Sequence, residues 1–260
     1  MGHNRILLMA AHPDDEVIGA GIEMTRWNPS HVTILHVTDG SPEDPKHAQA
    51  AGFATRGEYA KERRRELGKA MELAGMAEAR CVELGYTDQQ AHLYLPDLVA
   101  TLTDLIDEIR PDVIYTHPYE GGHPDHDAAA FGANHAVAEF SKRGGHGNIA
   151  VMEFTSYHAG PDGLVTSEFL QSSGARINSL TASQRALKTQ MFQCFRSQEA
   201  VLRQFPIVEE RFRSAPAYNF AQPPHSGPLH YETLGWNITG EHWRRHAVEA
   251  IKVLQGRQAG

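Results

Sequence analysis

Short apolar runs alternate with amphipathic segments along this chain, and the alternation restricts the fold more than any other feature of the sequence. Strands are predicted over residues 5–11, 31–38, 81–84, 112–117 and 149–157. Helices are predicted over residues 15–26, 57–74, 95–110, 125–140, 183–196 and 241–254. Because repeated strand–helix–strand units favour parallel pairing with helices on both faces, we predict an α/β fold, a Rossmann-like three-layer sandwich with a mostly parallel sheet.

Two stretches interrupt the alternation. Residues 41–56 show no clean periodicity and are predicted to form a long loop, a kind of segment that is often functional in a compact domain. Residues 214–228 contain several prolines and are predicted to be irregular. Since neither stretch resembles a linker, we predict a single domain over residues 1–260, whose last third, from about residue 200, completes the pocket and packs on the core.

The charge balance bears on the partners. The chain has 24 Lys and Arg against 32 Asp and Glu, a formal charge of −8. Proteins that bind nucleic acid usually carry a basic excess that replaces counterions on phosphate, so we do not expect nucleic acid as a partner.

Other features of composition bear on the compartment. No apolar stretch approaches the roughly 20 residues that a membrane-spanning helix needs. The first predicted strand starts too close to Met1 for a signal peptide to precede it, and two cysteines make no disulfide framework. We therefore expect a cytoplasmic protein without a membrane span, and the sequence leaves open whether it forms a homo-oligomer.

A first polar motif, His12-Pro13-Asp14-Asp15-Glu16, follows the first predicted strand and opens the first predicted helix. Ligands of open α/β sheets bind beyond the carboxyl ends of the strands, which is where this motif falls. Imidazole and carboxylate are ligands of zinc and of iron(II). The alternative is a helix N-cap, since aspartates in a first turn favour the helix dipole without any metal. The motif alone leaves both interpretations open.

A second motif, Gly121-Gly122-His123-Pro124-Asp125-His126, stands at the equivalent place after the fourth predicted strand. Each histidine taken singly could be a surface residue. Two His-Pro-Asp clusters, each after a strand and before a helix, are hard to attribute to composition, even in a chain with 16 histidines. The pair of motifs therefore favours one shared metal site at the edge of the sheet.

Together these motifs resemble the LmbE-like, or PIG-L, family of zinc-dependent N-deacetylases, which act on N-acetylglucosamine conjugates and related amides. The resemblance continues through Thr38-Asp39-Gly40, Arg63-x-x-Glu66 and Lys188, and reaches Ser197-Gln198. It implies removal of an N-acetyl group from a small-molecule amino sugar or glucosaminyl conjugate by a zinc-activated water. An amidase that acts on a larger or non-sugar N-acyl substrate is the alternative within the same chemistry.

The resemblance also implies residue roles. His12, Asp15 and His126 would be the ligands of one Zn²⁺ per chain, and Fe²⁺ could use the same ligands. Asp14 would be the general base. His123 would stabilise the oxyanion and protonate the leaving amine, and Arg63 would contact the substrate.

These implied roles are chemically coherent. Two histidines and one aspartate leave an open metal position for water, as in catalytic rather than structural zinc sites. Asp125 could support His123 or an adjacent ligand, or be a surface carboxylate in a first helical turn.

The remaining polar and aromatic candidates are less specific. His117 is expected to be hydrogen-bonded beneath the site, with a place in the pocket as the alternative, and Asp39 to support the site or the neighbouring helix. His158 is a pocket candidate, and His225 and His230 are expected at the surface. The three tryptophans are expected in packing, with stacking on a sugar as the alternative: Trp27, Trp236 and Trp243.

A non-catalytic module that binds a sugar or a nucleotide on a Rossmann-like sheet is the competing function class. A dinucleotide site would need a glycine-rich loop directly after the first strand. The strand meets His-Pro-Asp-Asp instead, and the first glycines, Gly19 and Gly21, fall inside the predicted helix. The sequence therefore argues against a dinucleotide.

Overall fold

A computed structural model describes residues 4–256 and contains a seven-stranded sheet and a separate two-stranded sheet. The strands are β1 (Ile6–Ala10), β2 (Val32–Pro42), β3 (Arg80–Asp88), β4 (Val113–Thr116), β5 (Ala150–Phe154), β6 (Tyr157–Gly160), β7 (Gly163–Thr166), β8 (Arg176–Ser179) and β9 (Glu209–Ser214). The large sheet has the order β3-β2-β1-β4-β5-β9-β8. The five strands from β3 to β5 are parallel, and β9 and β8 are antiparallel to their neighbours. The mostly parallel α/β sheet predicted from the sequence is therefore confirmed.

Helices cover both faces of the large sheet. They are α1 (Asp15–Met24), α2 (Pro45–Ala50), α3 (Arg56–Leu73), α4 (Leu95–Ile109), α5 (Pro124–Lys142), α6 (Ala182–Cys194), α7 (Glu199–Leu202) and α8 (Gly240–Gly256). Short 3₁₀ turns lie at Pro29–His31, Ala91–Tyr94, Arg196–Gln198 and His230–Leu234. Capping boxes begin two of the helices, with Thr55 and Glu58 at α3 and Thr181 and Gln184 at α6.

Strand β1 shows why there are three layers. Its side chains alternate, with Leu8 and Ala10 in one apolar cluster and Leu7 and Met9 in the other. The first cluster includes residues of α1, α3 and α6, and the second includes residues of α4, α5 and α8. A strand with both faces buried needs a continuous apolar run, and β1 has one.

The direction of chain progression reverses between β1 and β4. From β1 the chain continues to β2 on one side, whereas β4 lies on the other side of β1 and continues to β5. The loops that leave β1 and β4 therefore diverge at the carboxyl edge of the sheet and open a crevice. In doubly wound α/β folds, ligands bind at such a point.

The interval 41–56 was predicted to be a long loop, and this prediction is wrong. Strand β2 continues to Pro42, and α2 begins at Pro45 with the Asp44 side chain accepting a hydrogen bond from the Lys46 N–H. A helix of six residues is too short to show a helical period in the sequence.

The interval 149–157 was predicted as one strand, but β5 ends at Phe154 and Tyr157 starts the β6–β7 hairpin. Strands β8 and β9 were not predicted at all. Their sequences, RINS and EERFRS, are short and polar, and they form strands because each pairs with a neighbour distant in sequence. Residues 215–228 contain no helix or strand, in agreement with the irregular segment predicted there.

None of the helices within residues 4–256 combines the length and apolar character that crossing a membrane requires.

Candidate active site

A cavity of about 350 Å³ lies at the carboxyl edge of the sheet, where the loops after β1 and β4 meet. All but one of the site residues predicted from the sequence line it: His12, Asp14, Asp15, Arg63, His123 and His126. The exception is Asp125, which is fully buried behind the wall. Two loops separated by more than a hundred residues therefore contribute to one site, as the paired motifs predicted.

The loop after β1 holds Asp14 in a strained conformation. Asp14 has φ 139° and ψ −27°, in a region that residues other than glycine rarely adopt. Although Asp14 stands at the N-cap position of α1, its side chain makes no capping hydrogen bond. Its Oδ2 instead accepts a hydrogen bond of 2.9 Å from Arg63 Nη2. The capping interpretation does not describe this carboxylate, and strain of this kind is concentrated at functional sites.

The loop after β4 places His123 at the N-cap of α5, with Pro124 as the first helical residue. His123 Nδ1 accepts a hydrogen bond of 3.2 Å from the Asp125 N–H. A neutral ring in this arrangement carries its proton on Nε2. The second ring nitrogen, Nε2, which lies 3.5 Å from Asp88 Oδ1, is thus a donor.

Gly122 lets the second motif approach the β6–β7 hairpin. A Cβ added to Gly122 would lie 1.9 Å from the carbonyl oxygen of Tyr157, so the backbone would have to move. We expect Gly122→Ala to lower the free energy of unfolding by about 1–3 kcal/mol through overpacking, and to displace His123 and His126. Urea unfolding monitored by circular dichroism measures the change.

Gly68→Ala is the matched control for that substitution. Gly68 lies inside α3 with no atom within 4 Å of an added Cβ, so alanine should raise the stability by roughly 0.5–1 kcal/mol. Equal effects of the two alanines would contradict the close approach inferred for Gly122.

Asp15 stands between two imidazoles. Its Oδ2 is 3.1 Å from His12 Nδ1, and its Oδ1 is 3.2 Å from His126 Nε2. Two ligands about 2.1 Å from a common zinc in tetrahedral geometry are about 3.4 Å apart. The separations are therefore close to those of groups that share one ion.

His126 has one ring nitrogen held and one left over. Its Nδ1 is 3.1 Å from Ser156 Oγ, while its buried Nε2 lies 3.2 Å from Asp15 Oδ1 but forms no hydrogen bond within residues 4–256. Histidines that bind metal through one nitrogen usually use the other in a hydrogen bond to the protein. A buried Nε2 that faces the Asp15 carboxylate without a hydrogen bond fits a metal ligand, because leaving such an atom unsatisfied is costly.

Further ligand atoms surround these three residues. One nitrogen each of His12, His123 and His126 lie within 4.8 Å of one another, and so do atoms of Asp15, His117 and His126. His12, Asp88, His123 and Asp125 form another such group. The buried side chains of this cavity could therefore hold a metal ion.

Asp88 is a site residue that the sequence analysis missed. It ends β3, and its Oδ1 is 3.1 Å from His12 Nε2 and 3.5 Å from His123 Nε2. The third strand is predicted to end at residue 84, which leaves Asp88 four residues beyond the carboxyl edge of the sheet. Because β3 continues to Asp88, this residue lies at that edge. Asp39, on β2, supports the neighbouring helix, which was one of its two predicted roles: it accepts a hydrogen bond of 2.5 Å from Arg56, the first residue of α3, and does not line the cavity.

Asp125 lies in the interior, so the surface alternative for it is wrong. Its Oδ2 is 3.2 Å from His12 Nε2 and also accepts a hydrogen bond of 2.6 Å from the Gln89 N–H. Its Oδ1 accepts one of 3.0 Å from the Ala91 N–H. The distance from Oδ2 to His123 Nδ1 is longer, 3.8 Å. Asp125 thus supports His12 and ties it to the segment that follows β3.

Arg63 is buried at the back of the cavity. Besides Asp14, it donates hydrogen bonds to the carbonyl of Pro13 at 3.0 Å and to the carbonyl of Gly40. The adjacent Arg64 and Arg65 are exposed and pair with Glu83 and Glu62. The basic run of α3 is thus a solvated face with Arg63 as its exception.

The carboxylates of the cavity shift several pKa values. Burial raises the pKa of Asp14 to about 8, although Arg63 acts in the opposite direction. Burial disfavours protonation of His12, but Asp88, Asp125 and Asp15 around the ring raise its pKa well above the ordinary value. Three buried carboxylates line the cavity beside the single guanidinium of Arg63, and a bound divalent cation would offset negative charge there.

Two further histidines, His123 in the cavity and His117 beneath it, are kept neutral. Burial and the neighbouring His12 lower the pKa of His123 well below its ordinary value. Burial and His126 lower the pKa of His117 to about 4. Neutral imidazole is the form that binds metals and that can donate one N–H while its other nitrogen accepts.

His117 lies beneath the site, as predicted. Its Nε2 accepts a hydrogen bond of 3.0 Å from the Ala11 N–H, and its ring stacks on His126 with the centroids 4.0 Å apart. His158 was a pocket candidate, but it lies on β6 with Nδ1 against the Ala159 carbonyl and does not line the cavity. That prediction is wrong, because β5 ends before His158.

Two residues expected elsewhere do line the cavity. His230 is half-buried there rather than at the surface, and Trp236 stands with its ring centroid 4.9 Å from that of His123. Both belong to a C-terminal segment without readable periodicity. Trp243 is a packing residue, as expected, and Trp27 packs on Tyr115.

Three more residues line the cavity without having been predicted as site residues: Tyr59, Tyr157 and Gln198. Gln198, which belongs to a motif quoted above, donates a hydrogen bond to the Tyr59 hydroxyl. The Tyr157 ring lies 5.1 Å from that of His126. Apolar residues complete the wall: Ile18, Leu164, Val201, Phe205 and Leu234.

Comparison with known proteins gives a consistent result. The family model described as PIG-L, GlcNAc-PI de-N-acetylase, matches residues 7–137. The 1D-myo-inositol 2-acetamido-2-deoxy-alpha-D-glucopyranoside deacetylase of Kribbella flavida is 32% identical over 162 residues, which cover 52% of this chain and 54% of that protein. The chain thus spans about half the length of the curated relatives it matches.

Solved structures share the fold. The N,N'-diacetylchitobiose deacetylase of Pyrococcus horikoshii superposes with a TM-score of 0.58 at 23% identity, over 81% of this chain and 83% of that chain. The zinc inhibited form of teicoplanin deacetylase Orf2 superposes with a TM-score of 0.59 at 15% identity, over 82% of this chain and 100% of that chain. At these identities the likeness concerns the architecture.

Proposed function

We propose that this chain, which belongs to the PIG-L family of de-N-acetylases, is a metal-dependent hydrolase that removes an N-acetyl group from an amino sugar or glucosaminyl conjugate. The observation that carries the proposal is the position of Asp15, whose carboxylate lies 3.1 Å from a ring nitrogen of His12 and 3.2 Å from one of His126 in the cavity, with the separate carboxylate of Asp14 nearby. The relatives are described as deacetylases of sugar conjugates, and this supports the substrate class.

His12, Asp15 and His126 are the residues that we propose hold the ion, and zinc is the ion that we propose. Its ligand set is the two-histidine, one-carboxylate kind found in catalytic zinc sites, and iron(II) accepts the same set. When bound, such an ion lowers the pKa of a water molecule and polarises the scissile carbonyl.

Asp14 is proposed as the general base. Its carboxylate lines the cavity, and Arg63 fixes its orientation through the 2.9 Å hydrogen bond. Burial raises the pKa of Asp14 to about 8, which makes its ionised form a stronger base than an exposed carboxylate. A divalent cation bound nearby would favour that ionised form, which could then accept the proton of the attacking water.

His123 is proposed to donate its Nε2–H to the carbonyl oxygen as negative charge develops there. Protonation of the leaving amine by His123 was the other role implied by the family. It would require a proton on Nδ1, which already accepts the Asp125 N–H. We therefore assign delivery of the proton to Asp14, which has accepted it from water in the first step.

The substrate class can be tested by a screen for released amine. We expect acetate and free amine from N-acetylglucosamine conjugates, and slower or no release from the same amines carrying longer acyl chains. The apolar wall that includes Leu164, Val201 and Phe205 is the observation that keeps the amidase alternative in the test. A preference for long acyl chains would support that alternative, and sugar binding without turnover would revive the non-catalytic module.

Removal of a ligand is expected to remove the ion. His126→Ala should contain one metal ion fewer per chain than the wild type and should lose nearly all deacetylase activity. Elemental analysis of protein dialysed against zinc and then against metal-free buffer measures the ion content. Prior treatment of the wild type with a chelator should abolish activity in the same way.

His135→Ala is the control for that experiment, since His135 lies on the same helix but packs against Phe131 and does not line the cavity. It should keep both its metal content and its activity. An unchanged metal content in His126→Ala would contradict the assigned ligand set.

We also propose that residues 1–260 act as one domain. Residues beyond position 200 line the cavity, among them Phe205, His230 and Trp236. This contribution supports the view that the last part of the chain completes the pocket.

A further inference from the structure

Three histidines come together outside the catalytic cavity. His92 lies in the 3₁₀ turn Ala91–Tyr94, and His242 and His246 lie on α8. One ring nitrogen of each lies within 4.8 Å of those of the other two. None of the three lines the cavity described above. The turn and the helix are separated by about 150 residues of sequence, so only the tertiary structure brings these rings together.

The two histidines on α8 have a spacing suited to a metal. They are four residues apart and share one face of the helix, the arrangement by which two histidines of a single helix bind zinc in other proteins. Their Nε2 atoms are 3.1 Å apart, close to the separation of about 3.4 Å between ligands of a tetrahedral zinc ion. Both residues are half-buried, so their side chains can adjust and an ion can reach them from solvent.

His92 supplies the buried side of the cluster. It is 5% exposed, and its Nδ1 is enclosed without a hydrogen-bond partner in the described part of the chain. Its ring centroid is 5.9 Å from that of His242 and 5.4 Å from that of His246. A buried polar group that lacks its hydrogen bonds calls for another kind of partner, such as an ion.

The protonation state favours a metal as well. Burial lowers the pKa of His92 to about 3, and positive charge on His246 or His242 acts in the same direction. A hydrogen bond with the Gln89 backbone raises the pKa by a smaller amount. Burial and the neighbouring His242 also lower the pKa of His246. Glu249 acts in the opposite direction on His246, but its effect is smaller than that of burial. Near neutral pH, His92 and His246 therefore present the uncharged imidazole that metals bind.

We propose that His92, His242 and His246 form a second metal site, for a divalent transition-metal ion of the zinc class, which fastens α8 to the turn after β3. Three imidazoles without a thiolate suit zinc, copper(II) or nickel(II) better than magnesium or calcium. A solvent molecule would complete the coordination, because two of the ligands face outward.

The position of this three-histidine site gives the ion a mechanical role. His92 directly follows Ala91, whose N–H is bound by Asp125, the carboxylate that supports His12. On α8, Trp243 donates a hydrogen bond of 2.9 Å to the carbonyl of Pro124, in the second catalytic motif. An ion that joins the turn Ala91–Tyr94 to α8 would therefore connect two segments that are hydrogen-bonded to the second catalytic motif.

Zinc stoichiometry tests the proposal. Metal-free full-length protein, purified without a histidine tag, is dialysed against a slight excess of Zn²⁺ and its zinc content is measured by mass spectrometry. We expect two ions per chain in the wild type and one in His242→Gln/His246→Gln. His146→Gln, which removes an exposed histidine, should keep both ions. His246→Cys, which retains a zinc ligand, should also keep both.

The catalytic site is kept distinct in the same experiment. His12→Ala should lose one ion and retain the second, and the combination with His242→Gln/His246→Gln should lose both. In the His12→Ala background, Zn²⁺ should raise the Tm, and it should not do so once His242 and His246 are replaced. Far-UV circular dichroism confirms that the variants are folded, which is expected because the two replaced side chains are half-exposed. Equal zinc contents of the wild type and His242→Gln/His246→Gln would overturn the proposal, whatever the outcome at the catalytic site.

Discussion

Asp14→Asn should lower the kcat of deacetylation by about 10²–10⁴-fold, the usual contribution of a general base. The amide cannot accept the proton of the attacking water. Its Oδ1 can still accept the hydrogen bond that Arg63 donates to Asp14, so the cavity should keep its shape. Steady-state kinetics on an N-acetylated sugar conjugate, together with the metal content of the same preparation, provide the measurement. Metal content should match that of the wild type.

Asp39→Asn is the control for this substitution. Asp39 is also an aspartate paired with an arginine, Arg56, but it lies outside the cavity. It should leave kcat within a few-fold of the wild type. Full turnover by Asp14→Asn would show that another group removes the proton.

The backbone at Asp14 explains why this position should be sensitive. Holding a residue other than glycine at φ 139° costs of order 1–3 kcal/mol, which the rest of the fold must offset. The strain turns the side chain away from the helix end and into the cavity, beside Arg63. A carboxylate in an unstrained loop would be free to cap α1 instead.

The largest loss of stability is expected from Arg63→Met. Arg63 is buried with the carboxylate of Asp14 at 2.9 Å and that of Asp88 at 3.8 Å. Methionine matches much of its length but leaves both carboxylates without their cationic partner. Breaking a buried pair in this way typically lowers the free energy of unfolding by about 3–5 kcal/mol. Urea denaturation of metal-free protein measures this loss directly, because a bound cation would partly replace the missing charge.

Arg64→Met is the neighbouring control on the same helix. Arg64 is exposed and pairs with Glu83, and exposed ion pairs contribute about 0–1 kcal/mol. A similarly small loss from both substitutions would contradict the stabilising role assigned to the buried ion pairs of Arg63. The double variant Asp14→Asn/Arg63→Met should be more stable than the sum of the single changes predicts, since one of the uncompensated charges is then absent.

The sequence by itself determined the parallel core and the two catalytic motifs. Each rests on a local signal: the continuous apolar run of β1, and a His-Pro-Asp cluster directly after a strand. Carboxyl ends of parallel strands lie at one edge of a sheet, so the sequence alone predicts that the two motifs lie close together. The family resemblance added the roles of the individual residues.

Only the tertiary structure decided the rest of the site. Asp88 reaches the site because pairing with β2 extends β3 to the edge of the sheet. His230 and Trp236 line the cavity from a segment without periodicity. The polar strands β8 and β9 form through pairing with distant partners, and the turn that holds His92 meets α8 across about 150 residues. Such contacts depend on the packing of remote segments, which leaves no period in the local sequence.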